Sequence, residues 1–153
     1  MDKEIVLTQL RAAKAAHISW VQKAKFLIEG IDIDKNSIPV NSTECKFGKW
    51  FYSDAQKLNG LRNNSLECME TIEELHAKLH DAYLKIFKLY YTVESQGFFS
   101  KLFSNKKKLT DETIELGREY YIHLEDISKG LLAEIARLER RVIAIQDSEI
   151  EAL

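Results

Sequence analysis

Residues 64–95 read NSLECMETIEELHAKLHDAYLKIFKLYYTVES, the stretch in which the pattern of apolar residues indicates the class of fold. Its apolar side chains recur at steps of three and four residues, which is the spacing of one face of an α-helix. The face consists of Leu66, Met69, Ile72, His76, Leu79, His80, Tyr83, Ile86, Phe87 and Tyr90. We therefore predict a helix that begins at Asn63 or Asn64 and ends near Ser95, with two histidines at the centre of its apolar face.

The same spacing predicts a first helix from about residue 3 to Glu29. Its apolar face consists of Leu10, Ala13, His17, Trp20, Val21, Ala24, Leu27 and Ile28. Gly30 follows as the expected stop, because glycine readily adopts the left-handed conformation that often ends helices. Residues 31–43 break the pattern and contain the only proline, so we predict a connecting loop there.

Two more helices complete the prediction. A short one is expected from Glu44 to Leu58, with Ser42 or Thr43 as its N-cap. The last helix is expected to begin after Thr110 and to run almost to the end of the chain. Its later part has the a/d spacing of a coiled coil or bundle over about two heptads. That seam consists of Leu131, Ile135, Leu138, Val142 and Ile145.

Composition supports one all-α domain. The 153 residues include six glycines and one proline, too few for the many turns of a β-sheet protein. A net charge of −2 provides no basic field, so we expect no nucleic-acid partner. No run of about 20 apolar residues could span a membrane. Two cysteines and the lack of a signal peptide predict a soluble, cytoplasmic protein without a disulfide scaffold.

Three histidines and one cysteine are candidate metal ligands: His17, Cys45, His76 and His80. The pair at 76 and 80 lies one helical turn apart, so both imidazoles cover the same patch. The cysteine lies in the first turn of the short helix, where the helix dipole and the neighbouring Lys46 and Lys49 favour the thiolate that ligates metals. Three imidazoles and one thiolate match the tetrahedral coordination that zinc accepts.

Each candidate alone has a simpler interpretation. A buried histidine such as His17 is more often bonded to a backbone carbonyl than to a metal. Cys45 alone is a small buried apolar side chain. The pair of His76 and His80 is the stronger signal, because two adjacent buried imidazoles must satisfy up to four nitrogen atoms in one place. The zinc prediction therefore depends on the four residues together.

These motifs resemble the chemoreceptor zinc-binding domain, a bacterial family often called CZB. They are His17 with Trp20, the run Cys45-Lys46-Phe47-Gly48-Lys49-Trp50-Phe51, and His76 with His80. The run contains a complete Cys-x-Phe-Gly-x-Trp core, which is the most specific part. The resemblance covers about residues 5–130.

The resemblance implies an antiparallel four-helix bundle with an additional short helix that carries the cysteine. It implies zinc held by His17, Cys45, His76 and His80, and a homodimer that couples zinc or cysteine oxidation to a signalling partner of the chemotaxis or cyclic-di-GMP type. We expect a stand-alone member, because 153 residues leave no room for an output domain. Its zinc-binding bundle is expected over residues 1–130, and 131–153 are expected to extend the last helix toward a coiled-coil or dimer contact.

The chemistry of the expected ligands suggests a mechanism. Zinc with one thiolate and three neutral histidines keeps a positive charge, so we expect an acidic outer shell from Glu73, Glu74 and Asp81. Cys45 is the only ligand that oxidants attack readily. We hypothesise that oxidation or zinc loss frees the short helix at 44–58 while the helices that carry histidines stay packed.

Other residues have simpler roles. The aromatic residues of the central run are predicted to be core side chains rather than ligand contacts: Phe47, Trp50 and Phe51. Gly48 is expected to permit a close helix approach near the metal. Cys68 is interpreted as structural rather than as a resolving thiol, and His123 as a surface residue.

Residues 98–108 combine lysines with aromatic residues: Phe98, Phe99, Lys101, Leu102, Phe103, Lys106, Lys107 and Lys108. Such a segment can touch an anionic membrane or a partner. We favour a solvated connection, because the acidic helix that follows offers local charge partners. We therefore expect no membrane contact.

Four functions remain in competition. The first is a zinc sensor, and the second is a helical adaptor in which zinc only stabilises the fold. A zinc hydrolase is disfavoured, because Ala77 stands where the HExxH motif has its glutamate and four protein ligands close the metal to water. A haemerythrin-like di-iron bundle is disfavoured, because it needs bridging carboxylates. We expect a zinc-binding regulator without enzymatic activity.

Overall fold

The computed structural model describes residues 1–34, 36–39, 41–63, 66–91 and 109–153. Its helices are α1 (Lys3–Ile28), α2 (Lys46–Phe51), α3 (Leu66–Tyr90), α4 (Asp111–Ala144) and α5 (Asp147–Glu151), and a 3-10 helix covers Asp54–Gly60. The predicted all-α class is confirmed. The segment 98–108, and the predicted end of the third helix at 92–95, lie outside the described residues.

Helix α1 begins and ends close to the predicted residues. The Asp2 side chain accepts a hydrogen bond from the Ile5 N–H at 3.0 Å and caps the first turn. Gly30 has a φ of 82°, and the N–H of Ile31 reaches back to the Phe26 carbonyl at 2.9 Å. Glycine ends the helix because its φ is positive, a conformation that costs other residues more.

Three long helices form the described core, with 26, 25 and 34 residues. Helix α4 is antiparallel to both others: Arg11 of α1 bonds to Glu139, and Cys68 at the start of α3 lies against Glu134. Helices α1 and α3 therefore run in the same direction. The segment between them must travel back along the bundle, which is why it is long enough to carry α2 and the 3-10 helix.

The short predicted helix at 44–58 is divided into two pieces. The Ser53 hydroxyl donates hydrogen bonds to the Lys49 carbonyl at 2.6 Å and the Trp50 carbonyl at 3.2 Å. These carbonyls would have to accept backbone N–H groups if α2 continued as an α-helix. The chain therefore leaves α2 at Phe51 and forms the 3-10 helix instead. Thus, within the described residues, α2 and the 3-10 helix stand where a single short helix was expected.

The C-terminal part of the chain shares the core of the bundle. The predicted seam is buried, with exposures between 0% and 5% at Leu131, Ile135, Leu138, Val142 and Ile145. The predicted boundary at residue 130 lies inside α4, and the chain leaves that helix after Ala144. Lys3 holds this corner: its Nζ donates to the Ile145 carbonyl at 2.5 Å and lies 3.0 Å from the Asp147 carboxylate. The dimer contact expected of this segment stays a prediction.

One carboxylate joins α1 to α4 a turn away from His17. Glu139 is bonded to Arg11 Nε at 2.8 Å and also to Lys14 Nζ. Its bond to Lys14 is the main cause that holds the pKa of Glu139 below its usual range. These ion pairs help to fix the position of α1 along the bundle axis, and therefore the position of His17.

No helix in the described part of the chain is long and apolar enough to cross a membrane.

Candidate metal centre

The four candidate ligands meet in the core, although they come from three parts of the chain. His17 lies in α1, His76 and His80 in α3, and Cys45 just before α2. Their exposures are 0%, 0%, 3% and 1%, in the order His17, His76, His80, Cys45. One donor atom from each lies within 4.8 Å of the others. The structure therefore brings together all the side chains that the sequence analysis selected.

His17 presents a single nitrogen atom to this point. Its Nδ1–H donates to the Ala13 carbonyl, one turn earlier, at 2.6 Å. That bond fixes the tautomer and leaves Nε2 with a lone pair. The Nε2 atom is buried and has no hydrogen-bond partner in the described structure. A buried acceptor without a partner is costly, so this atom indicates a ligand that belongs beside it.

The two α3 histidines bring their Nε2 atoms close together. Nε2 of His76 lies 3.2 Å from Nε2 of His80 and 3.4 Å from Sγ of Cys45. A tetrahedral zinc ion with bonds of about 2.0–2.3 Å needs donor atoms about 3.3–3.8 Å apart. Both separations are near that range, and all four donor atoms lie within 4.8 Å of one another, at most about 1 Å beyond it.

Cys45 is held at the N-terminus of α2 by its own sulfur. The Gly48 N–H donates to Sγ at 3.2 Å, so Cys45 is the N-cap. The predicted cap at Ser42 or Thr43 is wrong: these residues form the preceding turn, where Asn41 Oδ1 accepts from the Thr43 N–H. The Ser42 carbonyl instead accepts a hydrogen bond from the Cys45 thiol at 3.3 Å.

Without a metal beside it, burial favours the protonated thiol of Cys45. Burial raises the pKa of the thiol, and the N–H groups of α2 together with Lys49 lower it by less. The predicted stabilisation of the thiolate by the helix end and a lysine is present, but burial outweighs it. A divalent cation beside the sulfur supplies the missing charge and displaces the proton.

Burial also keeps the histidines neutral, which is the form that binds metal. It is the largest cause that lowers the pKa of His17 to about 4 and of His76 to about 3. Neighbouring imidazoles contribute in the same direction. Three neutral imidazoles and one thiolate-forming sulfur are a borderline-soft donor set, which suits zinc better than calcium or magnesium.

Two aromatic rings close the site from outside. The Trp20 ring meets His17 edge-on with centroids 4.7 Å apart and meets His80 at 5.2 Å. The Phe47 ring lies 4.9 Å from His76 and 5.6 Å from His17. Phe47 is buried in the core, as predicted, and its ring also lies against two of the candidate ligands. Trp50 and Phe51 are buried, as predicted.

The expected acidic shell is not found around the ligands. Glu73, Glu74 and Asp81 are all exposed. Glu74 pairs with Lys78 at 2.5 Å, and Asp81 lines an outer groove. Glu73 faces Tyr52: burial and then this carboxylate raise the pKa of the Tyr52 hydroxyl. Glu74 stands two residues before His76 and Asp81 one residue after His80, so α3 turns both away from the ligands.

Gly48 permits a close approach, as predicted, but the segment that approaches it is the turn at residues 41–43 and not a helix. A Cβ atom at this position would lie 1.8 Å from the carbonyl oxygen of Ser42. Only glycine allows the turn at 41–43 to fold onto α2, and this contact holds the cysteine in place.

Two remaining candidates lie outside the cluster. Cys68 is buried beside Glu134, with Sγ 3.5 Å from the carboxylate, and burial is the main cause that raises its pKa. It precedes His76 by eight residues, about 12 Å along the helix axis. His123 is exposed, as predicted.

A helical bundle that gathers three buried imidazoles and one cysteine around a point defines a metal-binding domain. Residues 17–87 match the family model of the chemoreceptor zinc-binding domain, and this range includes all four candidate ligands. This part of the chain is therefore similar to the chemoreceptor zinc-binding domain. No curated protein and no solved structure matches the chain significantly.

The first prediction concerns Gly48→Ala. The added methyl group must displace the Ser42 carbonyl, and with it Cys45, so we expect zinc binding to weaken by about tenfold or more. Competition with a chromogenic chelator measures this. Gly130→Ala is the control, because its Cβ would meet Leu75 at an ordinary 3.5 Å. It should bind zinc normally. Equal affinity in the two variants would contradict the role assigned to Gly48.

The second prediction concerns the metal-free protein at acid pH. The folded-state pKa values of His17 and His76 are about 4 and about 3, against 6.5 in the unfolded chain. Between these values the unfolded chain binds more protons, so the free energy of unfolding falls as the pH is lowered. We expect a loss of about 3 kcal/mol between pH 7 and pH 5.

Urea unfolding of chelator-treated protein at several pH values measures this loss. His76→Leu should reduce the slope, whereas His123→Gln should leave it unchanged because that side chain is exposed. A pH-independent stability in the unsubstituted chain would contradict the assignment of buried neutral histidines.

Proposed function

We propose that this chain is a zinc-binding sensory domain whose zinc is held by His17, Cys45, His76 and His80. The observation that carries the proposal is the convergence of four buried donor atoms within 4.8 Å. The unpartnered Nε2 of His17 supports it, since a bound cation would satisfy that atom. When bound, the zinc supplies a positive charge that keeps the sulfur deprotonated.

The signal is carried by the segment that holds Cys45. The histidines belong to long helices whose buried faces fix them in the core, whereas the sulfur belongs to a turn and the six-residue α2. Its Sγ also caps α2 through the Gly48 N–H. Peroxide, as a two-electron oxidant, converts the thiolate to a sulfenic acid. The oxidised sulfur is then a weaker ligand for zinc and a weaker acceptor for the Gly48 N–H. The result is zinc release and a shift of α2.

The proposed context is regulatory. The domain acts in the cytoplasm as a homodimer and controls a signalling protein of the chemotaxis or cyclic-di-GMP type. Support for this context comes from the family that matches residues 17–87, whose description names chemoreceptors. Four buried donors leave no open coordination position, which favours regulation over hydrolysis.

A structural role for the zinc is the second candidate. It is favoured by the burial of the ligands, because a metal that joins α1, α3 and the cysteine segment holds three parts of the core together. In that case the metal resists oxidants, and its removal unfolds the chain instead of shifting one helix.

The third prediction tests the ligand set. Protein purified without added metal should contain one zinc per chain, and Cys45→Ala should retain much less after dialysis. Cys68→Ala is the matched control, since that buried thiol lies beside Glu134 and away from the histidines. Metal analysis by mass spectrometry measures all three proteins. Iron, or a second metal, in the unsubstituted chain would overturn the proposal.

The fourth prediction separates a sensor from a structural metal. Mild peroxide or hypochlorite should release zinc to an indicator dye while far-ultraviolet circular dichroism still reports a helical protein. Amide hydrogen exchange should then increase at residues 44–58 and remain slow in α1 and α3. Cys68→Ala should respond as the unsubstituted chain does. Cooperative unfolding on zinc loss would instead establish the structural role.

A further inference from the structure

The buried donors raise the question of how an ion reaches them. None of the four side chains is more than 3% exposed. An ion can enter or leave only if a covering group moves. The two rings that cover the site, Trp20 and Phe47, are therefore the candidates for that movement.

Trp20 has the looser packing of the two. It is half-buried, whereas Phe47 is 5% exposed. Phe47 also belongs to α2, whose backbone is tightly packed against Ser42 at Gly48. Moving Phe47 outward requires α2 to move and exposes Trp50 and Phe51, each worth about 1.5–3 kcal/mol of burial. Rotating one indole ring has a smaller cost, because it changes only side-chain torsions.

Trp20 lines two separate spaces. The first is a cleft of about 310 Å³ between α1 and the connecting segment, lined among others by Ala12, Ala13, Ala16, Pro39 and Phe47. The second is a small inner cavity of about 10 Å³ beside His80. An ion with six waters needs about 180 Å³, at about 30 Å³ per water. The cleft can hold such an ion, and the inner cavity has room for about one water.

We propose that the metal enters and leaves through this cleft, and that Trp20 is the gate between the cleft and the ligands. The inference rests on the proposed function, because it presupposes that a metal binds at the four side chains. The indole covers His17 and His80 in the closed position and joins the cleft to the inner cavity when it rotates. The gate thus controls how fast the site responds to a change of zinc concentration.

A gate has a kinetic signature that a ligand lacks. It changes the barrier between free and bound states, so the association and dissociation rate constants change by the same factor and Kd does not change. A residue that only stabilises the bound state changes the dissociation rate and Kd together. The two roles can therefore be separated by measuring both rate constants.

The test uses substitutions that obstruct or widen the route in the full-length chain. Ala12→Phe places a ring in the cleft, and we expect both rate constants to fall by about tenfold with Kd unchanged. Ala15→Phe is the control, because Ala15 is an exposed alanine of the same helix outside the cleft. Trp20→Phe provides a smaller gate, and we expect both rate constants to rise.

Stopped-flow mixing measures the rates, with Co²⁺ absorption for uptake and a chromogenic chelator for Zn²⁺ release. Equal rates in Ala12→Phe, Ala15→Phe and the unsubstituted chain would overturn the route through the cleft. A change in dissociation and Kd alone in Trp20→Phe would overturn the gate. If the unsubstituted chain binds neither metal, the proposed function itself fails, and metal analysis reports that failure separately.

Discussion

Three histidines meet in the core between parallel helices, where each imidazole nitrogen needs a partner that water cannot provide. His17 obtains one from the Ala13 carbonyl, and its second nitrogen remains without a protein partner. A single cation at the meeting point satisfies several such atoms at once, at a place where burial already keeps the imidazoles neutral. The core of the bundle therefore buries a histidine nitrogen, Nε2 of His17, whose partner a bound metal would supply.

The parallel orientation of α1 and α3 determines where the fourth ligand comes from. Parallel neighbours require a connection that returns along their length, and here that connection contains residues 29–65. The middle of such a connection passes the middle of both helices, which is where the histidines lie. Gly48 then lets the Ser42 turn fold onto α2, and the sulfur reaches His76 at 3.4 Å. The connection is therefore part of the metal centre.

Periodicity predicted α1 and α3 because their apolar faces are long and regular, and the same faces revealed the histidines as polar exceptions. The sequence signal was weaker where single contacts decide the structure. Ser53 ends α2 through its hydroxyl bonds, and Cys45 replaces Ser42 or Thr43 as the cap because a sulfur atom can accept the same N–H. The carboxylates chosen as an outer shell were selected by proximity in sequence, whereas a helix turns adjacent residues to different faces. The partner of His17 is the Ala13 carbonyl, one helical turn earlier, and a backbone carbonyl is the partner that the sequence analysis named as usual for a buried histidine.

The sulfur of Cys45 belongs to two equilibria, since it caps a helix and lies in the ligand group. When one atom takes part in both, the docking of α2 and the occupancy of the metal are thermodynamically linked, and the linkage is reciprocal. A partner protein that preferentially binds the docked form of α2 must tighten zinc binding by the same factor by which zinc tightens the partner. The zinc concentration at which the domain responds is then a property of the complex, and two partners in one cell can set two different thresholds for the same chain.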